Sequence, residues 1–157
     1  MNITPNFSFA GMVATQVRTW IAENARYATA WIVNLRRLCV NLLEPCREIL
    51  GNVPMIVTSG VRCPGLNAAV GGSPTSAHMY GLAVDFIAPA FGSPYMVACK
   101  LVAELRTRGI RFDQIIYEHT WVHISIEHPS GEQRGQVLTL MEDGSYKQGI
   151  ILRGAPA

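Results

Sequence analysis

The stretch Ser59-Gly60-Val61-Arg62-Cys63-Pro64-Gly65-Leu66-Asn67-Ala68-Ala69-Val70-Gly71-Gly72-Ser73-Pro74-Thr75-Ser76-Ala77-His78-Met79-Tyr80-Gly81-Leu82-Ala83-Val84-Asp85-Phe86 decides how this chain is read. It opens where an apolar, strand-like run, Met55-Ile56-Val57-Thr58, stops. It closes inside a second such run, Leu82 to Ile87. The residues between are dense in Gly, Pro and Ser and read as turns. That loop carries Arg62 and His78, and the strand after it carries Asp85. A guanidinium, an imidazole and a carboxylate at the rim of apolar strands mark a polar site on a rigid scaffold.

A second stretch, Tyr117-Glu118-His119-Thr120-Trp121-Val122-His123-Ile124-Ser125, adds an acid and another histidine. Strand alternation puts Trp121, His123 and Ser125 on one face, and Val122, Ile124 and Ile126 on the other. Asp85 is likewise the polar member between Val84 and Phe86, where a carboxylate is costly without a cation or hydrogen-bond donors. Catalytic zinc takes three protein ligands and keeps one position open. His78, Asp85 and His123 can supply that set. Hydrolysis at such a centre is helped by a base, and Glu118 is the candidate. Arg62 offers a fork of donors for a substrate carboxylate. Ser76 is placed to contact substrate or to orient the loop, and Trp121 is a candidate substrate contact. Taken singly, each residue has a plainer reading. Asp85 could be a strand-end acid, Arg62 a solvated loop charge and Trp121 a packing residue. His119 and His128 are read as ordinary surface or hydrogen-bonded histidines.

At 157 residues the chain is long enough to bury a real core, and an apolar share of 49% is that of a globular protein. A net charge of +2, without a basic run, argues against nucleic acid as a partner. No stretch approaches the roughly 20 apolar residues of a membrane span. Met1 to Thr15 lacks a basic leader before an apolar block, so no secretory signal is expected. The four cysteines form no Cys-x-x-Cys pair. Cys39 and Cys46 lie about 10 Å apart along a helix, too far for a disulfide. With Cys99 they are expected to be buried thiols.

Helices come first. Leu35, Leu38, Cys39, Leu42, Cys46, Ile49 and Leu50 recur at intervals of three and four, as a buried helix face requires. Pro45 is expected to start a new turn or kink this helix, and Gly51 to cap it. Met1 to Phe9 reads as a docked arm or a loose end. A helical turn or two is expected from Cys63 to Val70. Ser93-Pro94 starts a helix with Val97, Leu101, Val102 and Leu105 buried and Gly109 as its stop. Phe112–Tyr117 and Trp121–Ile126 are strands. Gln136–Leu140 and Tyr146–Leu152 form a terminal hairpin around Asp143-Gly144. The class is α+β, a small antiparallel sheet backed by helices, in one domain over residues 1–157 with a motif core of about 34–126.

Ser59-Gly60-Val61-Arg62-Cys63-Pro64, Asn67, Val70-Gly71-Gly72 and Ser76-Ala77-His78-Met79-Tyr80-Gly81-Leu82-Ala83-Val84-Asp85 together resemble the zinc D-alanyl-D-alanine carboxypeptidase family, peptidase family M15. That family includes phage L-alanyl-D-glutamate endolysins. The pattern Ser-x-His-x-x-Gly-x-Ala-x-Asp is present without a gap, and Trp121-Val122-His123-Ile124-Ser125 resembles the family's second histidine motif. Asn34 through Glu48 is similar to the helix that precedes the motif in the carboxypeptidase branch. The resemblance implies a hedgehog/D,D-peptidase-like fold, zinc on His78, Asp85 and His123, and substrate contacts from Arg62 and Ser76. Many members place the catalytic acid three residues before the last histidine, where this chain has Thr120. The nearest acid is Glu118, a position matched by the early glutamate of the hedgehog signalling domain. The implied activity is hydrolysis of peptidoglycan stem peptides, of D-Ala-D-Ala carboxypeptidase type. L-Ala-D-Glu endopeptidase is the alternative. A virion or other structural protein that keeps a non-catalytic zinc site is the reading from another class. Stem peptides are the expected partner, with no nucleic acid or membrane, and the protein is expected to act as a monomer. It would be made in the cytoplasm of a bacterial host and reach the wall after release.

Overall fold

Pro45 shapes the helical half of the molecule. It has no N–H to give and its ring crowds the preceding turn. In the computed structural model, which describes residues 1–152, the helix answers by widening. Helix α3 (Ile32–Leu38) runs into a π-helical turn at Cys39–Leu43, where the Glu44 N–H reaches five residues back to the Cys39 carbonyl. Helix α4 (Glu44–Ile49) then begins with Pro45 in its first turn. The expected face survives the change, since Leu35, Leu38, Cys39, Leu42, Cys46, Ile49 and Leu50 are all buried. Gly51 follows the C-cap Leu50 at φ +78°. The Gly51 and Asn52 N–H groups close back on the Glu48 and Arg47 carbonyls, a Schellman ending. Burial pushes the Cys39 thiol up to about 12, with Glu44 adding to the effect, so it is an inert packing group. All four cysteines are free, but Cys99 is only half-buried, contrary to expectation, because it sits on the outer flank of its helix.

The first residues form a docked arm. Strands β1 (Asn2–Thr4) and β2 (Phe7–Ser8) pair in a small hairpin that buries Ile3 and Phe7. Helix α1 (Phe9–Met12) is capped by Ser8, and α2 (Ile21–Ala28) follows. Strand β3 (Ile56–Ser59), helix α5 (Pro64–Ala69), strand β4 (Ala83–Ile87), helix α6 (Pro94–Thr107) and strands β5 (Gln114–Tyr117), β6 (Val122–Ser125), β7 (Gln136–Leu140) and β8 (Tyr146–Gln148) complete the order. Ser93 Oγ accepts from the Met96 N–H to start α6. Val97, Leu101 and Leu105 are buried as expected, whereas Val102 is half-buried. No helix among the described residues is long and apolar enough to cross a membrane.

The α+β class holds. The main sheet has six strands in the order β3-β4-β6-β5-β7-β8. It departs from the expected antiparallel pattern at one pair, since β7 runs parallel to β5. The reason is space. The other side of β6 is taken by β4, so the chain leaving β6 crosses to the free side of β5 before re-entering the sheet. Strand β8 is shorter than expected, because Gly149 at φ +86° turns the chain and Thr139 Oγ ties down the Gly149 carbonyl and the Ile151 N–H.

One sheet face packs Val84, Phe86, Ile115, Tyr117, Val122 and Ile124 with the helices. The opposite face carries, in lateral register, Asp85, His123, Ile116, Leu138 and Gln148. The connection from Ile126 to Gly135 is held across this face by Asp113, whose Oδ1 and Oδ2 accept from Arg134 Nε and Nη2, both at 2.8 Å. Burial acts to raise the Asp113 pKa, but the bonds and charge of Arg134 outweigh it and leave it below the usual carboxylate range. A depressed carboxyl contributes stability above its unfolded pKa of about 3.9 and loses it as the pH falls through the lower folded value. Asp113→Ala is therefore expected to cost about 1–3 kcal/mol in urea unfolding at pH 7 with chelator present. The gap to wild type should begin to narrow as the pH falls below about 4 and go on narrowing towards lower pH; a gap independent of pH would contradict this account.

Candidate metal centre and cleft

His78 lies in a short 3-10 turn, Ala77–Tyr80, that Ser76 caps by accepting from the His78 N–H. Two helices hold this turn from behind. Tyr27 Oη donates to the Met79 carbonyl at 2.7 Å, and Asn34 Nδ2 to the Tyr80 carbonyl at 2.9 Å. Gly81 ends the turn at φ +66°, close against Leu35 and Trp31, and so returns the chain to β4. His78 Nδ1 stands 2.9 Å from the Gly60 carbonyl. A carbonyl only accepts, so Nδ1 carries the proton and Nε2 turns a lone pair towards Asp85. Gly60 itself leaves no room for a side chain, since a Cβ would fall 2.0 Å from the Met12 carbonyl oxygen.

Asp85 and His123 face each other directly across β4 and β6. Asp85 Oδ1 lies 3.2 Å from His78 Nε2 and 2.9 Å from His123 Nδ1. The three ligand atoms all fall within 4.8 Å of one another. Ligands of a tetrahedral zinc ion stand about 3.3–3.5 Å apart, so the set fits that ion with little movement. A neutral His78 Nε2 and a carboxylate oxygen are two acceptors facing each other. A shared cation resolves that conflict.

The electrostatics agree with this reading. Burial lowers the His78 pKa, and Asp85 does not fully reverse it, so the imidazole is held neutral. Burial acts to raise the Asp85 pKa, but His78 and His123 outweigh it and keep the carboxylate ionised. His123 goes the other way from His78. Burial would lower it, yet the bond to Asp85 and the charges of Asp85 and Glu118 raise it. The shorter contact to Asp85 and the added charge of Glu118 act on His123, whereas His78 also meets the opposing charge of His123.

Glu118 enters the same space from the end of β5. Burial first, and Asp85 second, raise its pKa, against His123, Trp121 and Arg62. Trp121 Nε1 donates to Glu118 Oε2, so this ring, expected at the substrate, orients the acid. The turn between them is tight, with His119 at φ +67° and the Thr120 N–H bonded to the Glu118 carbonyl two residues back. Arg62 Nη1 bonds Asn67 Oδ1 at 3.0 Å, and Asn67 Nδ2 holds the Ser73 carbonyl at 2.9 Å. Gly72 lies against both, and a Cβ there would sit 2.1 Å from Asn67 Oδ1 and 2.7 Å from Arg62 Nη1. Arg62, Ser76, His78, Asp85, Glu118 and His123 line one cleft of roughly 460 Å³. A second depression, lined by Val17, Leu66, Val70, Ile87 and Trp121, shares Arg62, Asp85 and Glu118 with it.

The structure thus gathers every expected residue except Trp121 along one cleft, with Trp121 on the adjoining depression. His119 is exposed, at 3.5 Å from the Tyr117 hydroxyl. His128 lines the cleft rim while bonding Ser130, so it is hydrogen-bonded as expected. Asn67 as the support of Arg62, and Gln114, Arg134, Leu138 and Tyr146 as cleft walls, were not found from the sequence. Gln114 had a signal, because it shares the strand face of Glu118.

Residues 5–125 match the model of the family described as peptidase M15, more than half of the chain. The chain belongs to the peptidase M15 family. It is therefore a peptidase by family, and M15 peptidases are typically zinc-dependent. The matched region contains the His78, Asp85 and His123 group and Glu118. No protein in the curated set matches the chain.

If these residues hold the metal, His78→Ala, Asp85→Ala and His123→Ala should each lose most bound zinc in elemental analysis, while wild type keeps about one ion per chain. Because a proton on His123 competes with the metal, zinc affinity measured against a competing chelator should fall between pH 8 and pH 6. Full zinc content in all three variants would remove the assignment.

Proposed function

We propose that the chain is a zinc-dependent peptidase that hydrolyses the stem peptides of bacterial peptidoglycan, with D-Ala-D-Ala carboxypeptidase as its type. The observation that carries this reading is the convergence of Glu118 and Arg62 on the His78, Asp85 and His123 group in one cleft. Bound zinc would supply the Lewis acid that polarises the scissile carbonyl and makes water acidic enough to react near neutral pH. The remaining chemistry belongs to the chain. Glu118 takes the proton of the attacking water and returns it to the leaving amine. Its raised pKa suits both halves of that task. Trp121 occupies Oε2 and directs Oε1 towards the reaction. Arg62 pairs with a substrate carboxylate, its guanidinium pre-aimed by Asn67. Ser76 contributes by fixing the turn that carries His78.

The non-catalytic reading is disfavoured by the side chain of Glu118, which faces the metal group. The endopeptidase reading draws support from a different observation. The two depressions meet at Arg62, Asp85 and Glu118, which leaves room for chain on both sides of the cut bond.

Glu118→Gln is expected to keep zinc and fold but lower turnover by about two to four powers of ten. Near-normal turnover would move the base elsewhere. Arg62→Ala should lower kcat/KM by about ten- to over a hundred-fold, the effect of losing roughly 1.5–3 kcal/mol of charge-assisted bonding. Arg62→Lys should recover only part, because it lacks the fork. Mass spectrometry of muropeptides, and a comparison of a stem pentapeptide with its C-terminally amidated form, identify the bond. If wild type handles both forms equally, the carboxypeptidase type gives way to the endopeptidase one.

A further inference from the structure

The family match stops at residue 125, but the cleft does not. Its far wall is built by the next segment, with His128 and Arg134 on the connection after β6, Leu138 on β7 and Tyr146 on β8. The register explains how. Ile116 on β5 stands beside Leu138, and Tyr117 beside Thr139, so Glu118 and Leu140 come next along the same pair. Leu140 is opposite Tyr146. Glu118 and Tyr146 therefore end one lateral row on the cleft side of the sheet, two strand spacings apart, about 10 Å. Tyr146 keeps 54% of its surface exposed although it is large and aromatic. Tyr146 lines the same cleft as Glu118 and Asp85, and their charges add to burial in raising its phenol pKa.

Arg62 lies at the opposite end of the cleft, just after β3, the other edge of the sheet. A peptide held there by a carboxylate must cross Asp85, His123 and Ile116 and continue towards β7 and β8. An extended chain advances about 3.3 Å per residue, so about 10 Å is three residues. We propose that Tyr146 is a specificity-determining contact for the stem residue about three positions from the cut bond, its ring packing on the peptide and its hydroxyl donating to a peptide carbonyl. The proposal rests on the stem-peptide reading above. It makes the hairpin outside the family match the part of the enzyme that senses substrate length.

The test uses full-length zinc-loaded protein, wild type, Tyr146→Ala and Tyr146→Phe. The substrates are a stem pentapeptide and a version truncated on the side remote from Arg62, with the cut bond kept. Tyr146→Ala is expected to raise KM on the pentapeptide about ten-fold, with kcat little changed. The same variant should match wild type on the truncated peptide. Tyr146→Phe should recover the part due to the ring. Zinc content and unfolding midpoint should stay at wild-type values, since the side chain is exposed on an edge strand. Equal losses on both substrates, or no loss on either, overturn the proposal while leaving the peptidase reading intact. Failure of wild type to cleave either peptide overturns the stem-peptide reading, and this proposal with it.

Discussion

The carboxylate of Asp85 sits almost fully buried between two imidazoles, and the fold is arranged to keep it there. A charge in that position is tolerable only with partners on every open side. His78 comes from a capped turn, His123 from the adjoining strand, and the arginine and glutamate balance one another a little further out. Three of those partners are fixed from behind. Gly60 holds the His78 ring, helices α2 and α3 hold the turn, Asn67 holds Arg62 and Trp121 holds Glu118. The helical half of the molecule therefore serves the site as a clamp on one loop, as well as a cover for the apolar face of the sheet.

On the zinc peptidase reading proposed above, this arrangement separates the two properties the centre needs. The ligands must be rigid and deprotonated, and burial against a carbonyl gives His78 both. The base must exchange protons near neutral pH, and Glu118, half-buried beside Asp85, is pushed up towards that range. The two roles fall to groups in one cleft because the sheet carries them on strands either side of β6 with different depths of burial. Asp85 lies on β4, inside the sheet, whereas Glu118 lies past the end of β5.

Much of the site was legible in the sequence. His78, Asp85 and His123 announce themselves because each is a polar residue at a place where the local pattern demands an apolar one or a turn. Arg62 and Ser76 stand in a loop whose Gly and Pro content marks it as irregular. The buried helix face from Leu35 to Leu50 follows from three-four spacing, and the cap at Gly51 from residue type alone. Local physics governs all of these, and the sequence records local physics directly.

Other features depended on what lies next to what in space. The π-turn ahead of Pro45 reflects a helix kept continuous by tertiary packing where the proline would otherwise break it. The parallel pairing of β7 with β5 follows from which strand edge was still free. The tie between Asp113 and Arg134 joins residues that share no pattern. The bond from Trp121 to Glu118 depends on a turn geometry with His119 at positive φ. The sequence by itself determined which residues could hold a metal and which strands would carry them, because alternation and turn chemistry act over a few residues. Only the tertiary structure decided how those strands align and how far the cleft runs beyond the metal group, because strand register and the choice of neighbour are set by long-range burial.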